Sequence, residues 1–153
     1  MDKKKTSLAD EIKNNLLVVK KSVIIIDDDE DTPRLFAELL EEYGIKVLAK
    51  GYDGKSAISL YQKFTPDVTL VDIMMPNGSG FYAIRGIQKI NPNAKIIAVT
   101  ADITSLTTEK IKKLDIPVIY KPFDIEKVIG QIIYCWFLVL ETPSWLFLLF
   151  PFL

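Results

Sequence analysis

Side chains that could do chemistry stand directly after apolar, β-branched runs at four places in the chain. Asp27 and Asp28 follow one such run, and Asp72 follows another. Thr100 and Lys121 stand after two further runs in the second half of the sequence. Carboxylates, a hydroxyl and an ammonium can together hold a divalent cation and a phosphoryl group. These residue types therefore predict phosphoryl chemistry, provided that the fold brings them together.

The three aspartates would repel one another strongly at close range. At a separation of about 5 Å and an effective dielectric constant near 20, each ionised pair costs about 3 kcal/mol. Such a cluster either takes up protons or binds a cation. Oxygen ligands alone favour Mg²⁺, with Asp27, Asp28 and Asp72 as the candidate ligands. Alternatively, residues 27–31 form a solvated acidic turn that caps a helix at Thr32.

Composition excludes several other classes of site. The chain has 153 residues, one cysteine and no histidine. The absence of histidine excludes Ser-His-Asp triads, Cys-His dyads and histidine-based zinc or iron sites. A net charge of -1 gives no general attraction to nucleic acid. The length fits one domain of ordinary size.

The elements that must position these side chains alternate between short apolar runs and segments of helical periodicity. This alternation predicts an α/β fold, a (βα)5 flavodoxin-like three-layer sandwich with a parallel five-stranded sheet in the order 2-1-3-4-5. Because the carboxyl ends of parallel strands share one edge, the strand-end side chains would converge there. The predicted strands are Val23–Asp27, Lys46–Lys50, Asp67–Asp72, Lys95–Thr100 and Pro117–Tyr120. The predicted helices are Thr32–Tyr43, Gly54–Phe64, Ser79–Ile90, Ile103–Leu114 and a fifth that begins at Asp124.

In the first predicted helix, Leu35, Leu39 and Leu40 have the spacing of an amphipathic helix that is buried on one side. We therefore expect these leucines to face the core. The domain is expected to occupy residues 22–130, with the fifth helix continuing to about residue 140.

Residues 1–21 form a lysine-rich extension outside this pattern. Leu8, Ile12 and Leu16 are spaced as one face of a helix. The segment is either an unstructured tail or a short amphipathic helix that docks on a partner or an anionic surface. A cleavable signal peptide is not expected, because no apolar core of sufficient length follows the first lysines.

Residues 131–153 form an apolar tail with an abrupt loss of charge. A membrane span needs about 20 continuous apolar residues. Here Glu141 and Pro143 interrupt the apolar run, and both are poorly tolerated in mid-membrane. A membrane anchor, a packed or self-associating tail and an out-of-register end of the coding region remain alternatives.

Four motifs occur in a fixed order between residues 22 and 130. They are IIIDDDED at 24–31, PDVTLVDIMMPNGSG at 66–80, IIAVTA at 96–101 and YKPF at 120–123. In order and spacing, they resemble the receiver domain of two-component response regulators. One of these motifs alone would be a weak indication, whereas all four in register make a specific one.

The resemblance implies a role for each acidic position. Asp72 would be the phosphoacceptor, whose carboxylate attacks a phosphoryl group in line to form an acyl phosphate. Asp28 would ligate Mg²⁺ directly, and Asp27 would do so largely through water. Asp72 and the backbone carbonyl of Met74 would complete the protein's share of the metal ligands.

The resemblance also implies how the phosphoryl group is held. Thr100 would offer its hydroxyl to one phosphoryl oxygen, and Lys121 would offer its ammonium to another. The peptide bond between Lys121 and Pro122 would be cis, which proline makes accessible. The side chain of Met74 and Asp102 would border the site and tune the lifetime of the phosphoryl group.

The chain departs from the family pattern next to the lysine. The family usually has an aromatic residue three positions before it, and this chain has Val118, with Tyr120 adjacent to the lysine instead. Pro117 replaces the residue that normally leads into the last strand. These differences put the aromatic half of the family's conformational switch in doubt.

Because the flanks are too short for an effector domain, we expect a stand-alone receiver that signals through protein–protein contacts rather than an enzyme. It would accept a phosphoryl group from a sensor histidine kinase or phosphotransfer protein and act on a downstream protein target. Neither flank shows a helix-turn-helix pattern, so nucleic acid is not an expected partner. The expected location is the cytoplasm, with membrane contact only through the apolar tail.

Two alternatives stay open. A haloacid-dehalogenase-type phosphatase would use Asp27 as nucleophile, because Asp27 and Asp29 resemble the start of its first motif. However, Asp31 stands where that motif has threonine or valine, and no Gly-Asp-x-x-x-Asp sequence follows Lys121. The second alternative is a membrane-tethered receiver module. A calcium-binding EF-hand loop at residues 27–32 is excluded, because Thr32 replaces the required glycine.

Overall fold

The computed structural model describes residues 21–137, and within them five parallel strands form one sheet in the order β2-β1-β3-β4-β5. The predicted flavodoxin-like architecture and strand order are therefore confirmed. The strands are β1 (Ser22–Ile26), β2 (Lys46–Gly51), β3 (Val68–Asp72), β4 (Ile96–Thr100) and β5 (Val118–Tyr120). The helices are α1 (Asp31–Glu42), α2 (Gly54–Phe64), α3 (Ser79–Ile90), α4 (Ser105–Lys112) and α5 (Ile125–Phe137), with a 3₁₀ turn at Pro76–Gly78.

Two apolar cores lie on the two faces of the sheet. Successive residues of a strand point to opposite faces, so Ile25 packs with α1 and α5 while Ile24 packs with α2 and α3. Because both faces are covered by helices, the central strands are almost continuously apolar. The polar residues of the site stand where these apolar runs end.

The buried face of α1 differs from the prediction by about one residue. Phe36, Ala37 and Leu40 are buried, whereas Leu35 is 61% exposed. Leu39 is half-buried. The prediction for Leu35 was wrong, because neighbouring helical positions differ by about 100° in direction and the stripe is centred on Phe36 and Leu40.

Polar contacts hold the amino-terminal ends of β1 and β3 side by side. The backbone N–H and the hydroxyl of Ser22 donate to Oδ2 of Asp67 at 2.8 and 2.7 Å. The ammonium of Lys21 lies 3.5 Å from Oδ1 of the same carboxylate. We call Lys21, Ser22 and Asp67 the amino-edge clamp. The clamp fixes the β1–β3 register, in which Ile26 pairs with Val71. Asp27 and Asp72, the next residues, therefore lie side by side at the carboxyl edge of the sheet.

The starts of α2 and α3 are joined by a hydrogen bond. The carboxylate of Asp53 accepts from the backbone N–H of Ser56 at 2.7 Å and caps α2. The backbone N–H of Gly54 donates to Oγ of Ser79 at 2.6 Å. This contact holds the loop between β3 and α3 against α2.

Other boundaries agree with the sequence predictions to within one or two residues, α4 being the shortest of the five helices at Ser105–Lys112. Helix α5 extends to Phe137, and its expected continuation to about residue 140 lies outside the described residues. The interpretations of residues 1–20 and 138–153 also fall outside them. Within residues 21–137, no helix combines the length and apolarity needed to span a bilayer.

Candidate functional site

Two buried carboxylates meet at the carboxyl edge of the sheet. Asp72 ends β3 and Asp27 follows β1, and each residue is only 6% exposed. The ammonium of Lys121, which follows β5, lies between them. Its Nζ donates to Oδ2 of Asp72 at 2.6 Å and to Oδ2 of Asp27 at 3.0 Å. The structure thus brings together three of the predicted site residues from three separate strand ends.

Backbone N–H groups fix the orientation of both carboxylates. Oδ1 of Asp72 accepts from the N–H of Met74 at 2.7 Å. Oδ1 of Asp27 accepts from the N–H of Asp29 at 3.0 Å. Each aspartate therefore closes a short turn onto its own loop while its second oxygen faces Lys121. The sequence analysis did not assign this role to Asp29, although a turn onto an aspartate two residues earlier is a common local pattern.

The electrostatics of the site follow from burial and from the shared ammonium. Burial raises the pKa of Asp27, and the negative charge of Asp72 adds to this, against the opposing effects of the Asp29 N–H and Lys121. Burial acts to lower the pKa of Lys121, but its hydrogen bonds to Asp72 and Asp27 outweigh burial, and the pKa is raised. Lys121 is therefore a cation at neutral pH. When both carboxylates are ionised, one ammonium balances only half of their charge.

Asp28 occupies a different position from the buried pair. Its side chain is exposed and lines an open groove of about 520 Å³ together with Tyr52, Asp53, Pro76 and Tyr82. A groove of this size admits a ligand of small-molecule dimensions beside the loop that follows Asp72. Among residues 21–137, no three or more acidic, histidine or cysteine side chains form a group arranged to hold a metal ion.

The donor chemistry of the site nevertheless fits Mg²⁺. The buried carboxylates offer oxygen atoms only, which hard divalent cations prefer. Their charge is incompletely balanced by Lys121, as described above. The predicted ligands Asp27 and Asp72 are brought together, the predicted ligand Asp28 is the adjoining exposed carboxylate, and Met74 contributes its N–H to Asp72.

Thr100 ends β4 beside the buried pair and is fully buried. In the sheet register, Asp72 pairs with Val99, so Thr100 is the next residue along the neighbouring strand. Its Oγ1 accepts from the backbone N–H of Asp102 at 3.0 Å. Its carbonyl accepts from the N–H of Lys121 at 2.8 Å, which ties the lysine to the end of β4. The Lys121–Pro122 peptide bond is cis, as the resemblance implies.

Two aromatic rings form the apolar wall behind the charged groups. Phe36 and Phe123 lie 5.3 Å apart between ring centroids. With Asp27, Asp72 and Lys121 they line a cavity of only about 10 Å³. The rings limit access of water from the α1–α5 side, which strengthens the interactions among the charges. Sequence reasoning missed both as site residues, although Phe123 directly follows the Lys-Pro motif.

The residues that depart from the family pattern are also placed by the structure. Val118 is half-buried and packs against the core on the α2–α4 face of the sheet, whereas Tyr120 is 38% exposed. The carbonyl of Pro117, which precedes β5, accepts from the N–H of Ala98 at 2.9 Å, so the proline keeps this hydrogen bond to β4. A side chain with no ring therefore occupies the position three residues before Lys121.

Comparisons with known proteins identify relatives of this chain. Among curated proteins, the chain is similar to the chemotaxis protein CheY of Thermotoga maritima, with 34% identity over 96 residues, 62% of this chain and 80% of the relative. Protein CcdB of Bacillus subtilis is 36% identical over the same shares of the two chains.

Solved structures show the same fold. A DNA-binding response regulator of the LuxR family from Staphylococcus aureus has a TM-score of 0.70 and 27% identity, covering 75% of this chain and 98% of the other. The CheX–CheY–BeF3–Mg²⁺ complex from Borrelia burgdorferi has a TM-score of 0.70 at 23% identity, covering 76% and 89%. The family model of the response regulator receiver domain matches residues 23–133, and the chain belongs to that family.

Proposed function

We propose that the chain accepts a phosphoryl group on Asp72 from a sensor histidine kinase or a phosphotransfer protein, with Mg²⁺ bound, and signals through contacts with a downstream protein. The observation that supports this most directly is the Asp72 carboxylate, buried at a strand end and bonded to the ammonium of Lys121 at 2.6 Å. A phosphoacceptor needs an oriented carboxylate beside a cation that can receive a phosphoryl oxygen.

The chemistry assigned to these residues is a phosphoryl transfer. A carboxylate oxygen of Asp72 forms a bond to phosphorus as the bond between phosphorus and the donor's nitrogen or oxygen breaks, leaving an acyl phosphate. The ammonium of Lys121 then pairs with a phosphoryl oxygen, and the hydroxyl of Thr100 donates to another. Positioning and charge neutralisation are the main contributions of a protein to this reaction.

The metal assigned to the site is Mg²⁺, which would be held by Asp27, Asp28, Asp72 and the carbonyl of Met74. When bound, it supplies positive charge that neutralises the phosphoryl oxygens. The CheY structure from Borrelia burgdorferi is described as a complex with beryllofluoride and Mg²⁺, which supports the assignment by relationship. In the free protein, Lys121 provides part of that charge by contacting both Asp27 and Asp72.

The experiment is phosphorylation with acetyl phosphate and MgCl₂, followed by intact-protein and peptide mass spectrometry. Wild type should gain one phosphoryl group on the peptide that contains Asp72, and Asp72→Asn should gain none. Asp115→Asn, which changes an exposed aspartate outside the site, serves as the matched control and should be labelled like wild type. Equal labelling of Asp72→Asn would reject Asp72 as the acceptor.

The same purified protein can be used to distinguish a phosphoacceptor from a phosphatase. A receiver should release phosphate only from its own acyl phosphate, so excess phosphomonoester should not turn over. Sustained release of phosphate from a phosphomonoester, abolished by Asp27→Asn, would instead support Asp27 as an enzymatic nucleophile. We place the proposed reaction in the cytoplasm, where ATP-dependent kinases supply the phosphoryl group.

A further inference from the structure

We propose that Thr107 is a positioning residue, which with Asp102 links the hydroxyl of Thr100 to the first turn of α4 and replaces the missing aromatic part of the switch. The proposal rests on the proposed function, because it concerns how a phosphoryl group on Asp72 is sensed. We call Thr100, Asp102 and Thr107 the threonine–aspartate relay.

The relay is a continuous chain of hydrogen bonds. Oγ1 of Thr100 accepts from the backbone N–H of Asp102 at 3.0 Å. Oδ2 of Asp102 accepts from the hydroxyl of Thr107 at 2.6 Å, and Oδ1 accepts from the N–H of Thr104 at 2.8 Å. Thr100 is fully buried and Thr107 is 8% exposed, so water competes little at either end. Movement of the Thr100 hydroxyl is therefore passed to Asp102 and to α4.

These contacts favour the ionised form of the Asp102 carboxylate. The hydroxyl of Thr107 and the N–H of Thr104 lower the pKa of Asp102 below its ordinary value. The carboxylate consequently remains an acceptor for both donors throughout the neutral range. Thr104 in addition caps α4 by accepting from the N–H of Thr107 at 3.5 Å. The cap residue Thr104 and Thr107 in the first turn of α4 are thus both bound to Asp102.

The surface that would report the movement lies within the same segment. Ile103 is 77% exposed and Leu106 is 62% exposed, and they flank the Thr104 cap. Helix α4 has only eight residues, so a displaced first turn affects a large part of its length. Val118 pairs with Ala98 in the sheet and has no ring that could change rotamer. Tyr120, which carries a ring and pairs with Thr100, is 38% exposed. When a phosphoryl oxygen on Asp72 draws in the Thr100 hydroxyl, the relay therefore transmits the movement to Ile103 and Leu106.

The test uses the full chain with beryllofluoride and Mg²⁺ as the probe of the phosphorylated state. Thr107→Val removes the hydroxyl at nearly constant volume, and Thr107→Ser restores it. Thr108→Val is the matched control, because the Thr108 hydroxyl has no hydrogen-bond partner among the described residues. Amide NMR shifts of Ile103 and Leu106, the rate constant of Asp72 phosphorylation by acetyl phosphate and the midpoint of thermal unfolding are measured for each variant.

We expect Thr107→Val to lose most of the beryllofluoride-induced shifts at Ile103 and Leu106. We also expect it to change the phosphorylation rate constant by about 3- to 10-fold, within the range found for coupling residues. Thr107→Ser and Thr108→Val should behave as wild type. Loss of thermal stability alone, with the shifts and the rate constant intact, would assign Thr107 a merely structural role and overturn the proposal.

A second variant covers the case in which Thr107→Val does not fold. Asp102→Ala breaks the relay at its centre and should show the same loss of shifts at α4. If wild type responds to beryllofluoride and Asp102→Ala responds equally, the relay is rejected while the proposed function stands. If wild type neither responds to beryllofluoride nor becomes phosphorylated, the proposed function is rejected and the relay with it.

Discussion

At the scale of single residues, the site is a balance between two buried carboxylates and one ammonium. Asp27 and Asp72 are each 6% exposed, and removing such groups from water is costly unless they are paired. The raised pKa of Asp27 shows that this cost is incompletely compensated. Lys121 contacts both acids and is the residue on which their coexistence depends in the metal-free protein.

Replacement of Lys121 tests this dependence. Lys121→Met keeps the length of the side chain and removes the charge, leaving two carboxylates without their shared cation. Breaking a buried ion pair costs about 3–5 kcal/mol, and the 27% exposure of the lysine side chain brings the expected loss to about 2–3 kcal/mol. The free energy of unfolding, measured with urea in the presence of EDTA, checks this value.

Lys89→Met, which changes an exposed lysine on α3, is the control and should leave the free energy of unfolding unchanged. Added MgCl₂ should restore part of the loss in Lys121→Met, because a bound cation neutralises the same carboxylates. A stability of Lys121→Met equal to that of wild type in EDTA would contradict the role of Lys121 as counter-ion.

The participants of the site were predictable from residue type and position, but their contacts were not. The strand-end positions of Asp27, Asp72 and Lys121 follow from apolar runs of fixed length. The sharing of one ammonium by two carboxylates depends on side-chain directions that a linear pattern does not contain. Phe36 was not singled out by the sequence analysis for the same reason, because its ring reaches the site from α1 across the core.

At the scale of elements, the amino-edge clamp determines which strand residues reach the site together. The sequence analysis identified Asp67 only as the start of a strand. In the structure its carboxylate receives three donors from Lys21 and Ser22. Burial acts to raise the pKa of Asp67, but the Ser22 hydrogen bonds and the charge of Lys21 outweigh it, and the pKa is lowered.

A lowered pKa makes the clamp a pH-dependent contribution to stability. The ionised form of Asp67 is favoured in the folded state, so its contribution is fully present above the unfolded-state value of about 3.9. It is lost as the pH falls through the lower folded-state value. Asp67→Asn should therefore be less stable than wild type at neutral pH, and the difference should shrink in the acid range.

Urea denaturation from neutral pH to about pH 3 measures this difference, with Glu38→Gln on the exposed face of α1 as the control. A difference between wild type and Asp67→Asn that stays constant over this range would contradict the linkage to Asp67 ionisation. An increase in the difference at low pH would contradict the sign of the pKa shift.

Element type and order could be predicted from the sequence more securely than element orientation. Alternation of apolar runs and turn residues located all five strands to within one residue at either end. The predicted buried face of α1 was wrong at Leu35. Three leucines satisfied the spacing of an amphipathic helix, but Phe36 and Ala37 face the core in the structure. Periodicity shows that a helix has an apolar stripe. Which residues form the centre of that stripe depends on the shape of the sheet that the helix covers.

At the scale of the whole molecule, two glycines allow α3 to pack closely against two neighbouring elements. A Cβ atom at Gly80 would overlap the backbone carbonyl oxygen of Asp72 and the backbone of Ile73. A Cβ atom at Gly86 would overlap the end of the Ile58 side chain on α2. The first contact joins α3 to the strand that carries the proposed phosphoacceptor, and the second joins two helices on the same face.

The same substitution at these two positions should have different consequences. Within a helix, glycine to alanine ordinarily gains about 1 kcal/mol. Gly86→Ala should stay within about 1 kcal/mol of wild type, because the Ile58 side chain can change rotamer. Gly80→Ala meets backbone atoms that cannot rotate away, so overpacking should cost about 1–3 kcal/mol and displace Asp72. The free energy of unfolding, measured by urea denaturation, and the rate constant of phosphorylation by acetyl phosphate should both fall for Gly80→Ala and not for Gly86→Ala. Equal effects at both positions would contradict a tight contact between α3 and β3 beneath Asp72.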